Sequence, residues 1–136
     1  MLLTKRVEFS ASHICRNPKL SDEENYRLYG AAANPHGHGH NYVLEVTLAG
    51  DPHPVTGMVM DLKELKDILQ REVLDLFDHR FLNFELAPFD RVVPTVENVA
   101  VDIWQRLSRV FPDGSVKLHG VRVYETPDLY AECFGQ

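Results

Sequence analysis

The apolar positions of this chain change their spacing several times, and each change marks an element. From Val7 onward, Val7, Phe9 and Ala11 alternate with Glu8, Ser10 and Ser12. That period of two sets one face of a β-strand into a core. His13 continues the apolar face. A long polar connection follows over residues 14–37, in which Ser21-Asp22-Glu23-Glu24 has the form of a capping box; a short helix is expected to open there and to stop at Gly30. The alternation returns from His38 to Ala49, with His38, His40, Tyr42, Leu44, Val46 and Leu48 on one face. Histidines again extend an apolar face.

After a turn-rich stretch from Gly50 to Gly57 the period changes. Leu62, Leu65, Ile68, Leu69, Val73 and Leu76 recur at helical spacing behind Asp61, a candidate cap with Glu64 three residues on, so a helix is expected over 61–77. A loop broken by Pro88 and Pro94 follows over 78–94. Thr95 then reads as the cap of a second helix with the stripe Val99, Ile103, Leu107 and Val110, ended by Pro112-Asp113-Gly114. Two further strands are expected over 116–125, with Val121, Val123 and Glu125 on one face, and over 129–134. The main order is β-β-α-α-β-β. Strands grouped apart from helices give the α+β class: a four-stranded antiparallel sheet with two helices packed on one face. At 136 residues, with no internal repeat or linker composition, residues 1–136 form a single domain.

Composition narrows the function classes. Charged residues at 25% and hydrophobic residues at 44% describe an ordinary soluble protein, and no stretch approaches the ~20 apolar residues of a membrane helix. Lys5, Arg6 and Glu8 stand where a signal peptide would carry its apolar segment, so a cytoplasmic location is expected. The net charge of -6 argues against nucleic-acid binding, which draws on a basic surface. Cys15 and Cys133 are too few for a disulfide framework.

The candidate chemistry lies in the stretch PHGHGHNY. Residues two apart on a strand project to one side, so His38 and His40 can reach a single ion. His13 ends the first strand on its apolar face where His38 begins the second. If the two strands pair antiparallel, the three imidazoles converge. Three histidines with a fourth position open describe a catalytic zinc site. His36 competes by spacing, but Pro35 and Gly37 leave its direction open. His38, His40 and Glu45 also have the form of a cupin metal motif; Glu45, however, is an odd number of residues from His40 and points to the other face.

The stretches VEFSASH, LSDEEN, HGHNY, TGMVMDL, DHRFLN, PTVENVA and VYETP occur in the order seen in the 6-pyruvoyltetrahydropterin synthase family, which this chain resembles from Val7 to Pro127. The resemblance implies the tunnelling fold, assembled as a homo-hexamer from two trimers. It also implies Zn2+ on His13, His38 and His40, and a substrate, 7,8-dihydroneopterin triphosphate, from which triphosphate is eliminated. The product would be 6-pyruvoyltetrahydropterin, or in the queuosine branch 6-carboxytetrahydropterin, a carbon-oxygen or carbon-carbon lyase reaction. Glu125 resembles the family's pterin anchor, and Asp78 and His79 the carboxylate and imidazole of its proton relay. Thr95 and Glu97 match a family motif as well, although helix capping accounts for them.

The resemblance fails at one place. The relay usually has a third member, a cysteine or in some branches a glutamate, yet six residues before His38 stands Ala32 and four before it Asn34. Neither side chain can act as a base. Three alternatives follow: an engineered inactive variant, use of another base such as His79, His36 or Cys15, or a natural homologue with altered activity. A zinc-containing pterin-binding protein with little turnover is therefore the alternative to the synthase.

Overall fold

The computed structural model describes residues 1–111 and 114–135. In chain order the elements are β1 (Leu2–His13), α1 (Asp22–Tyr29), a 3-10 turn (Gly30–Ala33), β2 (His38–Ala49) and α2 (Leu62–Leu69). A π-helical stretch (Gln70–Leu74) carries α2 without a break into α3 (Asp75–Phe77). Then come β3 (Arg80–Phe81), α4 (Leu82–Glu85), α5 (Val96–Ser108), β4 (Lys117–Thr126) and β5 (Leu129–Cys133).

The expected α+β architecture is present, but the sheet has five strands in the order β3-β1-β2-β4-β5 and is mixed, not four-stranded and antiparallel. The added strand, β3, pairs parallel to β1 through Ala11↔Arg80 and Ser12↔Phe81. Two residues carry no alternation that a sequence pattern could register. The strand forms because the chain before it is already fixed: the Ser10 N–H donates to Asp78 Oδ1 at 2.9 Å, and the His79 N–H donates to Ser10 O at 2.6 Å. The expected loop over 78–94 therefore contains both β3 and α4.

β1 also begins at Leu2, ahead of the alternation, because its first half is held by pairing instead of burial. Thr4, Lys5 and Arg6 lie opposite Thr47, Val46 and Glu45, and the Thr4 and Thr47 hydroxyls meet at 2.8 Å. On the other half of the strand burial takes over. Phe9 and Ala11, with Tyr42, Leu44, Val46 and Leu48 of β2 and Val121 and Val123 of β4, make the inner sheet face. Leu65, Leu69 and Val73 from the α2 segment and Val99, Ile103 and Leu107 from α5 close the core over it.

The caps hold as the local chemistry requires. Ser21 Oγ accepts from the Glu24 N–H and Glu24 Oε1 from the Ser21 N–H, a reciprocal capping box. Asp61 caps the Lys63 N–H, and Thr95 the Asn98 N–H. α5 ends at Ser108; Pro112 and Asp113, expected to stop it, lie outside the described residues.

The outer sheet face is polar. Arg6, Glu45, Arg122 and Glu132 stand opposite one another on β1, β2, β4 and β5. Their contacts run Arg6–Glu45 at 4.0 Å, Arg122–Glu45 at 3.6 Å and Arg122 Nε–Glu132 Oε1 at 2.8 Å. Glu45 thus belongs to an ion-pair ladder on the face away from the histidines, as its parity requires.

Candidate active site

The register of β1 and β2 places His13 directly opposite His38 and Ala11 opposite His40. Side chains at these positions share the inner face, so the three rings meet at the open end of the core. His13 Nε2 lies 3.0 Å from His38 Nε2 and 3.1 Å from His40 Nε2. One ligand atom from each residue falls within 4.8 Å of the others, so the trio could hold a metal ion. Gly37, just ahead of β2, has φ +74, and a Cβ there would stand 2.6 Å from the Phe81 ring. Only glycine fits that approach.

The hydrogen bonds of the donor set leave its ligand atoms in the form a metal requires. His13 Nδ1 is 2.7 Å from Pro94 O, an acceptor with no proton to give, so Nδ1 carries the proton and donates. Neutral His13 therefore presents a bare lone pair at Nε2. The two separations from His13 Nε2, 3.0 Å to His38 and 3.1 Å to His40, approach the edge of about 3.3 Å that a tetrahedron with bonds of about 2.0–2.1 Å would have. The arrangement fits a divalent cation of the zinc type.

Electrostatics favour the same state. His13 is fully buried, and burial, with the neighbouring His38 and His40 as lesser causes, lowers its pKa to about 4 despite the opposing Pro94 carbonyl. Burial also lowers that of His40, against the opposing carboxylate of Glu125. Both rings are then neutral near pH 7, the form that ligates. Tyr42 sits beneath them with its ring 5.6 Å from that of His40 and its hydroxyl 3.5 Å from His13 Nδ1.

Glu125 joins this group. The β2–β4 ladder ends at Val43↔Tyr124, and the β4–β5 register shifts between Tyr124 and Thr126. Glu125 shares the parity of Val121 and Val123, so it faces the same side, and its Oε1 lies 3.3 Å from His40 Nε2 with both side chains largely buried. Cys15 is buried close by, and burial, then the Glu125 and Glu97 carboxylates, pushes its thiol up to about 11. Its N–H donates to Ala32 O at 2.9 Å, which sets the 3-10 turn carrying Ala32 against the exit of β1.

Asp78 and His79 pair with each other but stand apart from the trio. His79 Nδ1 is 3.0 Å from Asp78 Oδ1, and the imidazole is exposed. His79 itself adopts φ 61. Asp78 is held below its ordinary pKa, first by the Ser10 N–H and then by His79. His79 lines a shallow depression with Ser10, Ser12 and Asn41, whose side chains share the polar sheet face, so the pair opens on the opposite side of the sheet from the trio. His36, the rival by spacing, is exposed and lines a different hollow with Arg16 and Tyr26.

Two supports of the trio had no side-chain signal of their own. Pro94 contributes a backbone carbonyl, which no residue pattern announces. Asn83, inside the DHRFLN stretch, binds the backbone of Ile14 with both ends of its carboxamide.

A family model described as 6-pyruvoyl tetrahydropterin synthase matches residues 2–136. The chain is 47% identical over 124 residues to the 6-pyruvoyl tetrahydrobiopterin synthase of Homo sapiens, covering 91% of this chain and 84% of that one. The solved 6-pyruvoyl tetrahydropterin synthase of Caenorhabditis elegans superposes with a TM-score of 0.93 at 39% identity, covering 100% of this chain and 96% of the other. A more distant relative, the 6-carboxy-5,6,7,8-tetrahydropterin synthase of Rickettsia conorii, is 25% identical over 145 residues, covering 95% and 96%.

Proposed function

The chain belongs to the 6-pyruvoyl tetrahydropterin synthase family, and on that premise we propose that it is a zinc-dependent lyase that eliminates triphosphate from 7,8-dihydroneopterin triphosphate to give 6-pyruvoyltetrahydropterin. The observation that carries the reading is the convergence of the His38 and His40 Nε2 atoms on His13 Nε2, at 3.0 and 3.1 Å, with His13 held in one tautomer by Pro94. The 6-pyruvoyl product is preferred over the 6-carboxy one because the relatives named for the first reach 47% identity and those named for the second 27%.

His13, His38 and His40 are the metal ligands in this reading. Zinc there would supply Lewis-acid stabilisation of negative charge that develops on the substrate side chain. Glu125 accepts paired hydrogen bonds from the amino-pyrimidine edge of the pterin, and its support at a strand end keeps the ring in one orientation. Asp78 holds the proton of His79 on Nδ1, which leaves Nε2 free to take a proton from substrate carbon and return it. That step requires the exposed His79 to reach substrate that, within one chain, lies on the other face of the sheet from the depression His79 lines.

Assembly and location follow the same premise. A homo-hexamer built by joining sheet edges would cover β5 and the two-residue β3, which otherwise present unpaired backbone groups. No helix among the described residues is long and apolar enough to cross a membrane. A cytoplasmic location is proposed.

Ala32 favours a second reading, a pterin-binding protein with little turnover. Its methyl group stands in the turn that its own carbonyl fixes beside the exit of β1, where it offers no acid or base. Incubation of the zinc-loaded protein with dihydroneopterin triphosphate, followed by mass spectrometry, separates the two. Inorganic triphosphate with a pyruvoyl pterin supports the synthase. Binding without product, with turnover gained in Ala32→Cys, supports the binder. Loss of zinc in His36→Ala but not in His38→Ala would sink the ligand assignment.

A further inference from the structure

β1 has two neighbours along most of its length, but not at its end. The parallel ladder to β3 stops at Ser12↔Phe81, one residue before His13, and the antiparallel ladder to β2 stops at His13↔His38. The strand therefore leaves the sheet at the residue that must aim an imidazole. Chain ends without partners open locally at little cost in free energy.

The structure shows what replaces the missing strand. Asn83, in α4, accepts from the Ile14 N–H through Oδ1 at 2.7 Å and donates from Nδ2 to Ile14 O at 2.9 Å. A side-chain amide carries the same donor and acceptor as a peptide, so this pair extends the ladder past the end of β3. The next residue is tied as well, by the Cys15 N–H on Ala32 O. His13 is thereby bracketed: His38 lies across the ladder, Pro94 O holds Nδ1, and the Asn83 clamp fixes the peptide that follows.

We propose that Asn83 is a positioning residue for the three-histidine site, setting the direction of His13 through the backbone of Ile14. The inference rests on the metal reading above. Asn83 touches neither ligand atom nor substrate; it acts through the chain. Loss of partners that orient ligands typically lowers metal affinity 10- to 100-fold, and sites displaced by about 0.5 Å lose function.

The test uses Co2+ as the probe, since its absorption bands report ligand geometry without any turnover. Titration of the full-length metal-free protein gives affinity and spectrum for wild type, His13→Ala, Asn83→Leu and Asn83→Asp, with Ile103→Val as a core variant destabilised at a distance. Asn83→Leu keeps the approximate size and removes both hydrogen bonds. Asn83→Asp keeps the acceptor and sets a carboxylate against the Ile14 carbonyl. Both Asn83 variants are expected to bind Co2+ about 10- to 100-fold more weakly with altered bands, while Ile103→Val keeps the wild-type spectrum. Wild-type affinity and bands in Asn83→Leu overturn the inference and leave the metal reading standing, as does an equal change in Ile103→Val. Should Asn83→Leu fail to fold, unchanged binding in Asn83→Asp overturns it too. A wild-type protein that binds no Co2+, or whose binding survives His13→Ala, takes down both the metal reading and this one.

Discussion

His79 sits at φ 61, in the left-handed region that disfavours a side chain. Its backbone cannot relax, because its N–H donates to Ser10 O at 2.6 Å and Arg80 and Phe81 after it are paired to β1. His79→Gly and His79→Ala both delete the imidazole and its contact with Asp78. Their difference therefore isolates the backbone. Alanine held in this region costs about 1–2 kcal/mol, and the greater freedom of glycine in the unfolded chain offsets about 0.4–1 kcal/mol of its advantage. His79→Gly should then be the more stable of the two by about 0.5–1 kcal/mol, which for a domain of this size is about 2–4 °C in melting midpoint.

Thermal or urea unfolding of the two variants in the same metal state measures that difference. An alanine variant as stable as the glycine one would refute the strain argument. Turnover gives the second half of the test. If His79 moves the proton, both variants lose about 10²- to 10⁴-fold in rate, so the variant with the relaxed backbone is as inactive as the strained one. Full activity in His79→Gly would remove His79 from the relay. Strain kept where glycine would fit better, and released only with loss of activity, marks a residue retained for its imidazole.

Three further outcomes are expected. Glu125→Gln should weaken neopterin binding about 10- to 100-fold, the loss of a charged hydrogen-bond acceptor, while leaving zinc content unchanged; calorimetry with metal analysis checks both, and loss of zinc would make Glu125 part of the metal site instead. Asp78 is held below its ordinary pKa by the Ser10 N–H, so its contribution to stability is complete above the unfolded aspartate value and is lost as pH falls through the lower folded value. Asp78→Asn should flatten that acid limb in urea midpoints followed downward from pH 5, and an unchanged slope would count against the Ser10 contact. Arg122 and Glu132 are both about one-third exposed, so a double-mutant cycle should give a coupling of about 0.2–1 kcal/mol that shrinks in high salt; no coupling at low salt would mean the ladder on the outer face adds nothing.

The parts legible in the sequence are those fixed by short-range geometry. Alternation is a property of a strand by itself, so it placed His13, His38 and His40 on one face before any pairing was known. One added assumption, antiparallel pairing, brought them together, and the register His13↔His38 satisfies it. The same parity sent Glu45 to the opposite face, where it meets Arg6 and Arg122. What stayed hidden depends on partners distant in the chain. β3 exists because Asp78 and His79 grip Ser10, and Asn83 meets Ile14 across 69 positions of sequence. Neither leaves a period to detect, and the proline carbonyl that fixes the tautomer of His13 leaves no side-chain mark.

The same division bears on Ala32. Metal ligation depends on β1, β2 and the supports of His13, whereas residue 32 lies in a separate 3-10 turn tied to β1 through its backbone carbonyl. A substitution there leaves the Cys15 N–H its acceptor and leaves the three ring nitrogens where they are. Ala32→Cys should therefore change turnover without changing zinc affinity, and the reverse pattern would mean that the turn helps to build the metal site. On the proposed reading the histidines and the residue at position 32 are separable: the first set would persist intact whatever side chain stands at the second.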